Sequence, residues 1–132
     1  MTAGPQIKKR SRSERGSVTV VTAALLLLLA VLALVMADLV RALTSKSRAQ
    51  IAADAAALAA AQELVVNAGG NAARVAAAYA RENGALLESC DCATGSQAVV
   101  TVRVPFRTWF FGRSLSVSAT ARAVAESPAA SP

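Results

Sequence analysis

The sequence contains no histidine, and this absence limits the chemistry that the protein can perform. Without histidine, the 132-residue chain has no imidazole to act as an acid, a base or a metal ligand. Nucleophile–base pairs, phosphate-binding loops and cofactor motifs are also lacking. We therefore expect a protein that is not an enzyme and that uses no metal and no cofactor.

Cysteine is scarce as well, since the chain has only Cys90 and Cys92, on either side of one aspartate. A pair with this spacing and no accompanying ligands does not predict a zinc site. In an oxidising compartment, the two thiols could form a disulfide across one residue, stay free or link two subunits. The sequence leaves these three states open.

Charge and proline are absent from residues 17–37, where leucine and valine dominate. Because an α-helix rises 1.5 Å per residue, a helix of this length spans roughly 30 Å, the thickness of the hydrocarbon core of a bilayer. We therefore predict one transmembrane helix over residues 17–37, with the lipid bilayer of the cell membrane as its partner.

The net charge of +6 is concentrated in a basic leader, residues 1–16. Five basic residues precede the apolar segment: Lys8, Lys9, Arg10, Arg12 and Arg15. Three follow it closely: Arg41, Lys46 and Arg48. This bias predicts a single-pass protein with a cytoplasmic N-terminus and an extracytoplasmic C-terminal portion. Since the neighbouring apolar segment explains the basic run, no nucleic-acid partner is expected.

A cleaved secretory signal is the second interpretation of the apolar segment. Val35 and Ala37 provide the small residues that signal peptidase accepts at the −3 and −1 positions. Against this, the segment is longer than the usual apolar core of a signal, and helix-forming residues continue through the cleavage site. A small secreted protein released by signal peptidase after Ala37 stays as the alternative.

Alanine-rich sequence follows the apolar segment and contains neither proline nor glycine up to Val66. It predicts an extracytoplasmic helix over residues 38–68 that continues the transmembrane helix. Ile51, Leu58 and Val65 recur every seven residues and share one face. We expect this stripe, with the alanines beside it, to contact neighbouring subunits or the rest of the chain.

The C-terminal part of the chain changes from helical to alternating periodicity. After a short second helix over residues 71–83, the segments QAVVTVRVPF and SLSVSATARAV alternate apolar and polar residues. They predict a β-hairpin over residues 97–125, which needs cover on its apolar face because a lone hairpin is barely stable. Residues 126–132 are expected to be a disordered tail. The predicted fold class is α+β.

Most of the aromatic residues lie together at the expected tip of the hairpin. Together with two arginines they form what we call the aromatic patch: Phe106, Arg107, Trp109, Phe110, Phe111 and Arg113. Tryptophan and arginine are enriched at binding hot spots, and tryptophan also at membrane interfaces. The patch is therefore a candidate partner or membrane-interface surface, and packing on the chain's own helix is the alternative.

A basic leader ending in RG, a membrane helix and the segment AADAAALAAA together resemble the TadE/TadG-like proteins of the tight-adherence (Flp) pilus machinery. ENGALLESC, the alternating valines and ATARAVA resemble an actinobacterial branch named for gene neighbourhoods with a helicase and secretion genes. The resemblance implies a pilin-like fold and a structural role as a minor-pilin-like or accessory component of a Tad-type pilus assembly or secretion system. Its partners would be other pilus components or copies of itself.

The resemblance also implies a processing site. Prepilins of this kind are cut on the cytoplasmic side after a glycine, and Gly16 preceding Ser17 is the matching candidate. Prepilins usually carry glutamate at the fifth mature position, where it neutralises a neighbour's N-terminal amine. This chain departs from the pattern, since it has Val21 there and no acidic residue until Asp38.

Overall fold

The computed structural model describes residues 2–5, 14–67, 70–93 and 95–126. Its elements follow the order α1 (Glu14–Val66), α2 (Ala72–Glu82), β1 (Leu86–Asp91), β2 (Gln97–Arg107) and β3 (Ser114–Val124). This order confirms the predicted α+β class. Most of the basic leader and the tail beyond Glu126 lie outside the described residues, so the expectations for them stay predictions.

The chain divides into two units, Met1–Met36 and Ala37–Pro132, and the first contains the apolar part of α1. The most apolar 18-residue stretch of this helix is entirely unburied within the protein. Among the described residues, α1 is the one helix long and apolar enough to cross a membrane. Because exposing leucine to water costs about 1.5–3 kcal/mol per side chain relative to burial, a bilayer is the environment that suits this segment.

The second unit contains a three-stranded antiparallel sheet in the order β1-β2-β3. β2 and β3 pair in continuous register from Gln97↔Val124 to Arg107↔Ser114, so the two alternating segments form a hairpin. The third strand, β1, pairs with the other edge of β2 and was not predicted from the sequence. Its register shifts between Leu87 and Ser89, which marks a β-bulge.

The core of the second unit consists mainly of alanine. A single buried cluster joins one face of α1 to α2 and to the inner face of β2. The α1 contribution includes Ala49, Ala52, Ala53, Ala56, Ala57, Ala60, Ala61 and Leu64. The other elements add Ala72, Ala76 and Ala80 from α2 and Ala98, Val100, Val102 and Val104 from β2. Small side chains on the helices permit close approach to the sheet, where the larger valines fill the space.

The stripe of α1 was predicted to contact neighbouring subunits or the rest of the chain, and the structure does not show the second of these contacts. Ile51 and Leu58 are 57% and 56% exposed, whereas Ala56 on the opposite side is fully buried. The chain's own sheet therefore packs on the alanine face, and the stripe of Ile51, Leu58 and Val65 remains on the surface of the single chain. The reason is steric, since large side chains at the contact would hold α1 away from the sheet.

Helix α2 ends at a defined stop. The Asn83 side-chain amide donates a hydrogen bond to the Tyr79 carbonyl oxygen at 2.8 Å, and Gly84 takes a positive φ of 74°. A left-handed glycine after a helix is the usual way to turn the chain out of it. At the other end, Asn71 lies at the N-cap position but makes no side-chain capping bond.

Candidate functional site

The loop between β2 and β3 is fastened to α1 by one carboxylate, that of Asp38. Its Oδ1 accepts a hydrogen bond from the backbone N–H of Trp109, and its Oδ2 accepts one from the N–H of Phe110, both at 3.0 Å. These partners lie 71 and 72 positions from Asp38 in the sequence. We call this arrangement the Asp38 clasp, since both carboxylate oxygens hold the same loop.

Charge stabilises the Asp38 clasp. The pKa of Asp38 is lowered from its ordinary value of 3.8, mainly by the N–H of Trp109 and then by that of Phe110. Arg41 lowers it further by charge attraction, while partial desolvation acts in the opposite direction. The Cζ of Arg41 also lies 5.0 Å from the centroid of the Trp109 ring, a cation–π distance. Arg41 therefore contacts the loop and favours the charged form of the carboxylate.

The loop is closed by its own backbone as well. Both the N–H and the hydroxyl of Thr108 donate to the Arg113 carbonyl oxygen, at 3.1 and 3.2 Å. Gly112 provides a positive φ of 57°, which L side chains rarely adopt. The rings of Phe110 and Phe111 meet edge to face, with centroids 5.0 Å apart. These contacts fix the loop's shape without burying its rings.

The residues of the aromatic patch lie at the end of β2 and in the loop that contacts α1, and its rings differ in exposure. Trp109 is 75% exposed and Phe111 is 71% exposed, while Phe106 is half-buried at the end of β2. Beside the patch runs a groove of about 380 Å³. Its lining comes from α1 and from the hairpin: Val40, Arg41, Thr44, Ser45, Arg48, Phe106, Arg107 and Trp109. Three arginines and two aromatic rings make this groove suitable for a group that is both anionic and apolar.

The other predicted site residues lie away from this loop. Cys90 and Cys92 form a disulfide across Asp91, with their Cα atoms 5.3 Å apart. Gly16 and Ser17 lie near the start of α1, and a Cβ added at Gly16 would meet no atom within 4 Å. Within residues 14–67, 70–93 and 95–126, no group of three or more His, Cys, Asp or Glu side chains could hold a metal.

The sequence predicted the aromatic patch but missed the residue that holds it. Asp38 is the first acidic residue after the apolar segment, and that position was the available signal. Nothing in the local pattern connects it to a loop more than seventy residues later. Because Asp38 bonds to backbone N–H groups, the identities of its partners do not reveal the contact either.

These features define a class of protein: an α+β chain whose N-terminal helix can cross a membrane and whose small sheet packs on the later turns of that helix. Residues 16–63 match the model of a family described as "Putative Flp pilus-assembly TadE/G-like". The match lies within α1 and confirms the resemblance of this segment to TadE/TadG-like proteins. The assignment to an actinobacterial branch stays a prediction. No curated protein and no solved structure matches the chain.

Proposed function

We propose that the protein is a minor-pilin-like or accessory component of a Tad-type pilus assembly or secretion system. Residues 17–37 anchor it in the cell membrane, with the N-terminus in the cytoplasm and the second unit outside. Its role is structural and does not include catalysis. The family match over residues 16–63 carries this proposal, because it covers both the apolar segment and the alanine-rich turns that follow.

Two further features support the orientation. Basic residues are more numerous before the apolar segment than after it, which favours a cytoplasmic leader. The disulfide between Cys90 and Cys92 suits a compartment more oxidising than the cytoplasm. Both features agree with an extracytoplasmic second unit.

The stripe of Ile51, Leu58 and Val65 supports a partner-binding role. Internal packing uses the alanine face of α1, so these larger side chains remain available on the other side. Exposed branched apolar residues at seven-residue spacing suit contact with another helix. The proposed partners are other pilus or secretion components or a second copy of the chain.

The N-terminal mass of the mature protein tests processing. Cleavage after Gly16 by a prepilin-type peptidase gives a protein that starts at Ser17, and Gly16→Val should then leave the heavier, uncut species. Because a Cβ at Gly16 would meet no atom within 4 Å, we expect this substitution to be tolerated by the fold. An intact leader in both proteins would mean a simple membrane anchor. A start at Asp38 would instead establish the secreted alternative.

Labelling of thiols in whole cells tests the orientation. After mild reduction, a membrane-impermeant reagent should label Cys90 and Cys92 without lysis. A variant with both cysteines replaced by serine serves as the control for labelling of other proteins. Labelling that appears only after lysis would contradict the proposed N-in orientation.

A further inference from the structure

We propose that the loop between β2 and β3 is a second membrane contact, with the rings of Trp109, Phe110 and Phe111 in the lipid headgroup layer where α1 leaves the bilayer. The proposal requires residues 17–37 to span a membrane, but it does not depend on a role in pilus assembly. Its partner is a phospholipid surface. The argument rests on where the Asp38 clasp lies along α1.

The position of Asp38 on α1 determines how far the loop lies from the hydrocarbon core of the bilayer. If residue 37 marks the end of the hydrocarbon core, the helical rise places Asp38 about 1.5 Å and Arg41 about 6 Å beyond it. The headgroup region is roughly 5–8 Å thick on each side of the bilayer. Since the N–H groups of Trp109 and Phe110 bond directly to Asp38, the loop lies within this layer.

The surface of α1 around the clasp remains apolar beyond the uncharged segment. Leu39, Val40 and Leu43 are each more than half exposed, although they follow the charged residue Asp38. Together with the exposed rings of Trp109 and Phe111, they extend apolar surface about two turns past residue 37. This surface suits the mixed polar and apolar environment of a membrane interface, where tryptophan is enriched.

The Asp38 clasp also makes the loop compatible with lipid. Backbone N–H groups next to the hydrocarbon core have less access to water, so hydrogen bonds within the protein stabilise a loop that lies there. Asp38 satisfies the two N–H groups at the tip, and Thr108 bonds to the Arg113 carbonyl. The charge of Asp38 is in turn offset by these dipoles and by Arg41.

The arginines beside the loop indicate which lipids it prefers. Arg41 and Arg107 line the groove next to Trp109, and the helical rise places Arg41 within the headgroup layer. Arg48 lines the same groove but lies roughly 16 Å along the helix from residue 37, beyond the headgroup layer. We therefore assign Arg41 and Arg107, but not Arg48, to contact with anionic headgroups.

The chain carries its own probe for this contact, since Trp109 is its single tryptophan. The full-length protein is reconstituted into vesicles of phosphatidylcholine with or without phosphatidylglycerol, and Trp109 is excited selectively over tyrosine. Lipids brominated near the headgroup should quench its fluorescence strongly, and lipids brominated deep in the acyl chains should quench it weakly. Acrylamide in the aqueous phase should quench Trp109 less in the vesicle-bound protein than in the protein unfolded by denaturant.

Matched variants separate the clasp from a general change in the helix. Asp38→Ala should remove most of the quenching by shallow brominated lipid, while Asp54→Ala, on the same helix but distant from the loop, should leave it unchanged. Asp38→Asn keeps one acceptor oxygen and should give an intermediate value. Arg41→Gln should weaken the extra quenching seen with phosphatidylglycerol, and Arg48→Gln should not.

Three results would overturn the proposal. Strong acrylamide quenching without lipid quenching would place Trp109 in water and favour a protein partner for the aromatic patch. Quenching mainly by deep bromines would place the ring in the hydrocarbon core. Equal quenching with and without phosphatidylglycerol would refute the proposed preference of the arginines for anionic headgroups. None of these results would affect the pilus-related function, which is tested separately by the N-terminal mass and by partner capture.

Discussion

Replacing Ala56 with leucine tests whether alanine forms the contact between α1 and the sheet. Ala56 is fully buried and shares a cluster with Val100 and Val102, which are also fully buried. Leucine adds three carbon atoms at a site where the neighbouring atoms belong to a helix and a paired strand. Overpacking of this kind typically costs about 1–3 kcal/mol. We expect Ala56→Leu to destabilise the second unit by this amount.

Thermal unfolding of the full-length protein in detergent measures the effect. For a domain of this size, each kcal/mol lowers the melting temperature by roughly 4–8 °C. Ala56→Leu should therefore lower it by about 5–20 °C, followed through the sheet signal and through Trp109 fluorescence. The matched control is Ala78→Leu on the exposed face of α2, where the same substitution should change stability by no more than about 0.5 kcal/mol.

Ala55 provides a second comparison on α1 itself. It is half-buried and lies beside the stripe of Ile51 and Leu58, one position from Ala56. Ala55→Leu should cost less than Ala56→Leu, because part of the added side chain can turn toward the surface. Equal melting temperatures for wild type, Ala55→Leu and Ala56→Leu would show that α1 does not pack on the sheet, and the account of the alanine-rich core would be wrong.

Three other perturbations give distinct outcomes. Acid should release the loop from Asp38, because the folded state lowers the pKa of this carboxyl below its ordinary value of 3.8. The charged carboxylate therefore stabilises the fold fully above pH 3.8, and this contribution is lost as the pH falls through the lowered pKa. An unchanged Trp109 fluorescence in detergent across that pH range would contradict this. Leu58→Gln should leave the melting temperature nearly unchanged but reduce co-purification of pilus or secretion components, and undiminished co-purification would remove the stripe as a partner surface. Cys90→Ser should cost about 1–2 kcal/mol, since the disulfide closes a very short loop, and no loss at all would indicate free thiols in the cell.

Strong periodicity made most of the fold predictable. The long apolar helix and the two alternating strands have regular patterns, and the structure contains all three. Strand β1 has no such pattern, because the bulge between Leu87 and Ser89 leaves Leu87 and Cys90 as its half-buried residues. A spacing of three positions is typical of a helix rather than a strand, so the bulge concealed β1 from sequence analysis.

The contact face of α1 could not be read from hydrophobicity alone. Ile51, Leu58 and Val65 are more apolar than the alanines around them, yet they remain exposed in the single chain. The sheet instead packs on alanine, because the approach of helix and sheet is limited by the size of the side chains between them. The candidate site could be predicted only in part for a different reason. The Asp38 clasp joins a side chain of α1 to backbone N–H groups that are distant along the chain.

The Asp38 clasp also bears on the missing glutamate of the prepilin pattern. In the resembling prepilins, an acid within the membrane helix neutralises the N-terminal amine of a neighbour, but this chain has Val21 at the corresponding position. The first acidic residue after Ser17 is Asp38, and both of its oxygens already accept hydrogen bonds from the protein's own loop. Asp38 lies just beyond the apolar segment and holds the chain's own loop, so it differs in place and in contacts from the prepilin glutamate.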